Sequence, residues 1–260
     1  MNLIYWIKFT DKWIKEQIYK MDLNLKGNTA IVTGGASGIG KQACIDLARE
    51  GANVVIADIN ENGANEVEAE IIKNGGNAMT IKCDVTKTDE VNYCVQKCMD
   101  EFGRVDILVC NAGILRDNMI HKMPEDDYDL VLDVNLKGYW RFCKAVTPIM
   151  KKQRYGRIVM IASMAYKGNR GQSNYATAKA GVVGLCKTIA QELGYLGITC
   201  NTIAPGLVHT ALTDYYVKDD KLRGNIGAPF GNLAGNVASP FASCNKYQFL
   251  YFTTGQGIIL

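Results

Sequence analysis

The segment Thr33-Gly34-Gly35-Ala36-Ser37-Gly38-Ile39-Gly40 constrains the fold more than any other stretch of this chain. It lies between an apolar, β-branched run, Thr29–Thr33, and a helical pattern that extends to Glu50. A strand that turns on glycines straight into a helix N-terminus is the opening of a βαβ unit. Missing Cβ atoms let a pyrophosphate approach the backbone, where free N–H groups and the helix dipole stabilise its charge. A glycine-rich turn without a ligand is the plainer reading, and the second strand argues against it. That strand, 53–57, runs into Asp58, 18 residues after Gly40. A carboxylate there accepts hydrogen bonds from both hydroxyls of an adenosine ribose and repels a 2′-phosphate. No Arg or Lys falls among Gly34 to Gly40, although Lys41 follows directly. These residues favour NAD over NADP.

Four more apolar runs, 78–82, 105–110, 157–162 and Ile198–Ala204, read as buried strands. Between them lie amphipathic stretches, one carrying Ala64, Val67 and Ile71, another Val91, Cys94, Val95, Cys98 and Phe102. Strand and helix in alternation predict an α/β fold: a single Rossmann-like, doubly wound parallel sheet flanked by helices. The 260 residues suffice for a sizeable core, and a hydrophobic share of 48% with a net charge of +3 excludes disorder as the main state. The same balance argues against nucleic acid as a partner held by bulk charge. No run approaches the roughly 18 apolar residues of a membrane span. The nine cysteines are odd in number and scattered, without a Cys-x-x-Cys. They read as reduced thiols of a cytoplasmic protein. Cys94 and Cys98 share an apolar face, so core packing is preferred to metal, and no metal site is expected.

The two ends differ from the middle. Residues 1–20 set Trp6, Phe9, Trp13, Ile14 and Ile18 among Lys8, Lys12, Lys15 and Lys20. An amphipathic helix touching a membrane or a partner is one reading. The favoured one is an appendage, or an upstream extension of the reading frame, before a catalytic domain spanning 21–260. At the other end, only Lys246 is charged within residues 224–260, and Pro240 breaks a helix candidate. Such a tail predicts burial against another subunit or a lipid-like substrate.

Tyr175 and Lys179 stand four apart in Asn174-Tyr175-Ala176-Thr177-Ala178-Lys179, on one face of a predicted helix. A tyrosine with a pKa of about 10 is a poor base near neutrality. A neighbouring ammonium is expected to lower that pKa and poise the phenol for proton transfer. Such pairs occur by chance on many solvated helices. Here the pair is joined by the glycine loop, Asn111-Ala112-Gly113, Asn135, Ser163 and Pro205-Gly206. Together these motifs resemble the short-chain dehydrogenase/reductase family in order and spacing, over about residues 23–216.

The resemblance implies a role for each matching position. Thr33, Gly34, Gly38 and Gly40 would form the dinucleotide loop, with Ile39 packed beside it. Asp58 would hold the adenosine ribose, while Asp84 and Val85 would border the adenine. Asn111, Ala112 and Gly113 would make the cofactor floor. Asn135 would bend its helix and hold a water of the proton relay. Ser163 would hydrogen-bond the substrate oxygen, Tyr175 would be the acid/base, and Lys179 would also hold the nicotinamide ribose. Pro205, Gly206, Val208 and Thr210 would cover the nicotinamide and contact phosphate.

The stretch from Asn111 through Arg116-Asp117-Asn118 to Tyr128-Asp129 looks most like that of 3-oxoacyl-thioester reductases. It implies a 3-oxo or 3-hydroxy acyl thioester on a carrier protein or coenzyme A. Other secondary alcohols remain open as substrates. Many acyl-carrier reductases prefer NADP, whereas Asp58 argues for NAD. His209 falls in the loop over the nicotinamide, and Tyr215 and Tyr216 fall where the family has a substrate lid. The resemblance also implies a homo-oligomer, a dimer or a tetramer, and the unusual stretch from Pro229-Phe230-Gly231 onward departs from the family where its subunits meet. The alternative is a protein that binds NAD as a sensor with little turnover. The presence of both Tyr175 and Lys179 weighs against it.

Overall fold

In the computed structural model of the protein, residues 23–206, residue 208 and the backbone of 251–254 are described. Residues 1–20, and the stretch 224–260 apart from that backbone segment, lie outside them. Six strands form a parallel sheet: β1 (Thr29–Thr33), β2 (Asn53–Asp58), β3 (Asn77–Lys82), β4 (Ile107–Cys110), β5 (Gly156–Ile161) and β6 (Ile198–Ala204). Their spatial order is β3-β2-β1-β4-β5-β6. A short β7 (Tyr251–Thr254) adds antiparallel to β6, with Ala204 opposite Tyr251. The sequence reading has six strands and no β7. Four residues, Tyr-Phe-Thr-Thr, have β propensity but too little length for a period to declare itself.

The crossovers are α1 (Gly38–Arg49), α2 (Glu61–Lys73), α3 (Thr88–Phe102), α4 (Glu125–Leu132), α5 (Gly138–Gln153) and α6 (Ser173–Leu193). Local chemistry sets several of their ends. The Asn60 side chain accepts from the Gly63 N–H at 3.2 Å to cap α2. Helix α3 stops at Gly103, whose φ of 71° is left-handed.

Alternation along each strand divides the core in two. Ile31, Val55, Leu108 and Ile158 point to the face covered by α3, α5 and α6, against Val91, Phe142, Val146 and Val182. Ala30, Val32, Val54, Ile56 and Val109 point to the opposite face, against Ala43, Leu47, Val67 and Ile71 of α1 and α2. That is why the strands read as continuous apolar runs: both faces are buried. The eight described cysteines are free and buried. Among the described residues no helix is long and apolar enough to cross a membrane.

Strand β4 starts two residues later than the apolar run suggests. The Val105 N–H donates to Gln153 Oε1 at 3.1 Å and its carbonyl accepts from Gln153 Nε2 at 2.8 Å, so a side chain takes the place of a neighbouring strand. Next to it Asp106 is fully buried. Its carboxylate accepts from the Thr29 N–H at 2.8 Å and from Arg104 Nε and Nη2 at 2.6 and 2.8 Å. Removing one partner of a buried pair is costly, but Arg104 is 48% exposed, so water replaces part of it. Arg104→Ala is expected to lower unfolding free energy by about 2 kcal/mol. Urea denaturation checks this as a lower midpoint at unchanged slope.

Strand β1 sits between β2 and β4, and the chain leaves it in opposite directions on its two sides. The crevice at the carboxyl ends of β1 and β4 is where such a sheet receives a ligand.

Candidate active site

The carboxyl ends of β1 and β4 are tied together by Thr33 and Asn111. The Thr33 hydroxyl accepts from the N–H groups of Asn111 and Ala112 at 2.9 and 3.1 Å. Asn111 Nδ2 returns two bonds, to the carbonyls of Thr33 and Gly34 at 3.1 and 2.9 Å. The loop is therefore shaped from the next strand. Gly34 has a φ of +67°, and a Cβ on it would stand 2.8 Å from Ala112 Cα. A Cβ on Gly40 would overlap the Gly34 carbonyl oxygen. Gly38 is also left-handed, at φ 54°, and Ile39 beside it is half-buried.

The start of α1 has no competing acceptor of its own. The Ser37 side chain makes no capping bond, and the first turn has no acidic residue. Helix geometry leaves the first amides without intrahelical partners, so this donor set fits a diphosphate. Asp58 faces the loop from β2. One of its oxygens accepts from the Ala36 N–H at 2.9 Å and the other from the Asn60 N–H at 2.8 Å. Each carboxylate oxygen accepts about two bonds, so both can still receive a ribose hydroxyl. Lys41 is engaged by Glu70 at 2.9 Å. These residues fit a nicotinamide dinucleotide.

Asp84 and Val85 follow β3. Asp84 Oδ1 accepts from the Thr86 N–H and hydroxyl at 2.9 and 2.7 Å. The Val85 carbonyl accepts from Arg141 at 3.3 Å, and Arg141 also binds Asp133 at 2.8 Å. Asp133 opens a π-helical turn, Asp133–Lys137, which joins α4 to α5. Asn135 lies in this bend, fully buried. Its side chain makes a two-way bond with one residue: Oδ1 accepts from the Ile114 N–H at 2.8 Å and Nδ2 donates to the Ile114 carbonyl at 2.9 Å. A Cβ on Gly113 would come within 3.2 Å of Asn135 Oδ1. Asn135 thus fastens the segment Asn111-Ala112-Gly113 from below.

Ser163 lies two residues after β5, and its Oγ accepts from the Ala165 N–H at 3.2 Å. Tyr175 lies two residues into α6, and the Ser163 hydroxyl acts to lower its phenol's pKa. One turn further, Lys179 is buried, with Nζ donating to the Ile161 carbonyl at 2.7 Å and to the Tyr139 hydroxyl at 3.1 Å. Nζ stands 5.5 Å from the centre of the Tyr175 ring. Asn135, Ser163, Tyr175 and Lys179 are therefore carried by elements that meet at the carboxyl edge of the sheet. Pro205 and Gly206 follow β6, and the Pro205 carbonyl accepts from the Met164 N–H at 3.0 Å. Val208 is half-buried. Thr210, His209, Tyr215 and Tyr216 lie outside the described residues.

The charge states differ from the expectation set by spacing. Burial pushes the Tyr175 phenol up to about 12, the Ser163 hydrogen bond pulls it down, and Asp117 pushes it further up. Burial pulls the Lys179 ammonium down to about 7. The lysine therefore does not lower the phenol here, because desolvation disfavours both charges. Spacing places two side chains on one face; it says nothing of how dry that face is. Sequence reasoning also missed Tyr139, which receives Lys179 and donates to the Ile161 carbonyl at 3.2 Å. Its one signal is its place four residues after Asn135.

Comparisons with known proteins agree on one family. A family model described as short chain dehydrogenase matches residues 28–221. The chain is 41% identical over 193 residues to a 3-oxoacyl-acyl-carrier-protein reductase of Thermotoga maritima, covering 74% of this chain and 78% of that protein. It is 41% identical over 239 residues to a hydroxy(phenyl)methylsuccinyl-CoA dehydrogenase subunit of Thauera aromatica, covering 90% of this chain and 95% of that protein. Among solved structures it is similar to gox2181, with a TM-score of 0.77 and 35% identity over 80% of this chain and 83% of that one.

Proposed function

Because the chain belongs to the short-chain dehydrogenase/reductase family, we propose that it interconverts 3-oxoacyl and 3-hydroxyacyl thioesters, with NAD preferred to NADP. Its reaction class is that of an NAD(P)-dependent oxidoreductase acting on a CH–OH group or its ketone. Two relatives bear names of thioester chemistry, one on an acyl carrier protein and one on coenzyme A. The observation that carries the reading is Tyr175 one helical turn before a buried Lys179, whose Nζ stands 5.5 Å from the centre of the phenol ring and donates to the Ile161 carbonyl at 2.7 Å.

The bound nicotinamide supplies or accepts the hydride. The chain's own residues handle the oxygen and its proton. In reduction, Tyr175 donates its phenolic proton to the developing alkoxide, while the Ser163 hydroxyl donates a hydrogen bond to the same oxygen. A phenol held protonated by burial is already loaded as that acid. In oxidation, Tyr175 takes the alcohol proton as phenolate, with Lys179 Nζ 5.5 Å from its ring. Asn135 acts on position: its clamp on Ile114 fixes the floor that Asn111, Ala112 and Gly113 offer the cofactor.

The choice of NAD rests on Asp58 and on Lys41 being held by Glu70. Removing two charge-assisted hydrogen bonds of about 1 kcal/mol or more each changes affinity at least about tenfold. Asp58→Ala is therefore expected to cut the NADH-over-NADPH preference in kcat/KM by about tenfold or more. The test follows absorbance at 340 nm with acetoacetyl-CoA under each cofactor. A wild-type protein that prefers NADPH would overturn the cofactor reading. Turnover confined to alcohols that are not thioesters would overturn the substrate reading.

A further inference from the structure

Three polar groups from three different elements meet in the core beside Tyr175. Lys179 of α6 and Tyr139, the second residue of α5, are both buried. Lys179 Nζ lies 2.7 Å from the Ile161 carbonyl oxygen, at the end of β5, and 3.1 Å from the Tyr139 hydroxyl. That hydroxyl lies 3.2 Å from the same carbonyl, so the three atoms form a closed triangle. The Tyr139 ring adds a further contact, with Nζ 5.0 Å from its centre. One nitrogen and two oxygens thus join two helices to a strand, at a depth where an unpaired polar group is costly.

The two oxygens differ in what they can do. A carbonyl only accepts, whereas a hydroxyl both accepts and donates. Burial holds the Tyr139 phenol well above its ordinary range, with Cys110 and Tyr175 pushing the same way, so its proton stays on. Lys179 is different, because burial brings its ammonium down to about 7 and both of its forms occur around neutral pH. Among the described residues, the titratable groups that face it are Tyr175 of its own helix, Tyr139 of α5 and Cys110 of β4. As an ammonium, Nζ donates to both oxygens while the hydroxyl donates to the carbonyl. As an amine, Nζ keeps its bond to the carbonyl and the hydroxyl turns its proton onto the nitrogen lone pair. One hydrogen rotates about the phenolic C–O bond, and no heavy atom has to move. Either way a single N–H of Nζ is left over, from three in the ammonium and from two in the amine.

We propose that Tyr139 is a positioning residue whose hydroxyl holds Lys179 Nζ in one place in both of its protonation states. The proton that separates the two states is exchanged with solvent. Across that exchange the nitrogen keeps its 5.5 Å distance to the Tyr175 ring, and its spare N–H stays available to a bound nicotinamide ribose. The Ile161 carbonyl alone cannot do this, since it offers nothing to the lone pair of the amine. The inference rests on the reading of Tyr175 as the acid/base, which is what makes the place of Lys179 matter for turnover.

The test compares the full chain with Tyr139→Phe, which keeps the buried ring and its contact with Nζ and removes only the hydroxyl. Lysine labelled with carbon-13 at Cε reports the charge of Lys179 by NMR, and Lys179→Met identifies its signal. In the wild type that signal is expected to titrate near 7. In Tyr139→Phe it should titrate lower by about half a pH unit or more, because the hydroxyl's bond to the charged form is the stronger of the two it makes. With saturating NADH and acetoacetyl-CoA, kcat of Tyr139→Phe should fall about tenfold, while KM and NADH binding stay within about threefold of wild type. A hydroxyl that only fills the core would change stability and leave both the titration and kcat in place. Wild-type crystal structures at pH 6 and pH 9 need no variant: Nζ should stay within about 3.5 Å of both oxygens in each. A lysine that leaves Tyr139 at either pH overturns the proposal, as does one that stays charged to pH 9, since there is then no second state to hold. An unmoved titration in Tyr139→Phe, or a kcat within about twofold of wild type, overturns it while the thioester reading stands. If the wild type reduces no thioester, that reading falls, and the titration and the two crystal structures still decide the role of Tyr139.

Discussion

Replacing Tyr175 with phenylalanine is expected to lower kcat by about 100-fold to 10,000-fold, the range lost with a positioned acid/base. The ring remains, so the packing of α6 against the sheet stays as it is, and only the hydroxyl is removed. That hydroxyl has no part in shaping the glycine loop, which Thr33 and Asn111 hold by their own bonds. Binding of NADH, followed by its fluorescence, should therefore stay near the wild-type value. The split between lost turnover and retained binding separates an acid/base from a residue that merely supports the pocket. A variant with kcat within about tenfold of wild type would remove Tyr175 from the chemistry, since a general acid contributes at least about 100-fold. Ser163 alone would then be the proton-handling group at the substrate oxygen.

How far the sequence could be read depended on whether each constraint is local. The glycine loop was legible because φ at Gly34 and the missing Cβ at Gly40 are backbone requirements of one turn, visible as residue types in a row. The six parallel strands were legible because both faces are covered, so each shows as an unbroken apolar run. Helix positions such as Cys94 and Cys98 fell on the buried face that their spacing assigns. The rest depends on what stands opposite. Nothing near Asn135 says that its amide closes on Ile114, 21 residues earlier in the chain. Nothing near Val105 says that Gln153 completes its hydrogen bonds. The division 1–20 and 21–260, with an unusual part from 224, falls largely on residues outside those described. The expected direction of the Tyr175 shift failed for one physical reason: desolvation is a property of the assembled pocket, and at this site it exceeds the lowering that Ser163 supplies.

That same desolvation makes Lys179 a group whose cost to the fold depends on pH. Its ammonium titrates near 7 in the folded, ligand-free chain, against an ordinary value of 10.5. Below pH 7 the lysine is protonated in both folded and unfolded chains, and the fold bears the full penalty of burying a charge. Between about 7 and 10.5 the unfolded chain still carries the proton while the folded one has released it. The penalty is therefore relieved as pH rises, at up to about 1.4 kcal/mol per pH unit for one proton. Wild-type stability, relative to Lys179→Met, is expected to rise by about 2 kcal/mol from pH 7 to pH 9, measured by urea denaturation without cofactor. Every other titrating group is common to the two proteins and cancels in the difference. Tyr175 does not interfere, because a phenol raised to about 12 affects stability only above about pH 10, and there in the opposite sense. Parallel curves for the two proteins across that window would mean that the Ile161 carbonyl and the Tyr139 hydroxyl hold Lys179 fully charged. The lysine would then be a permanent cation beside the phenol.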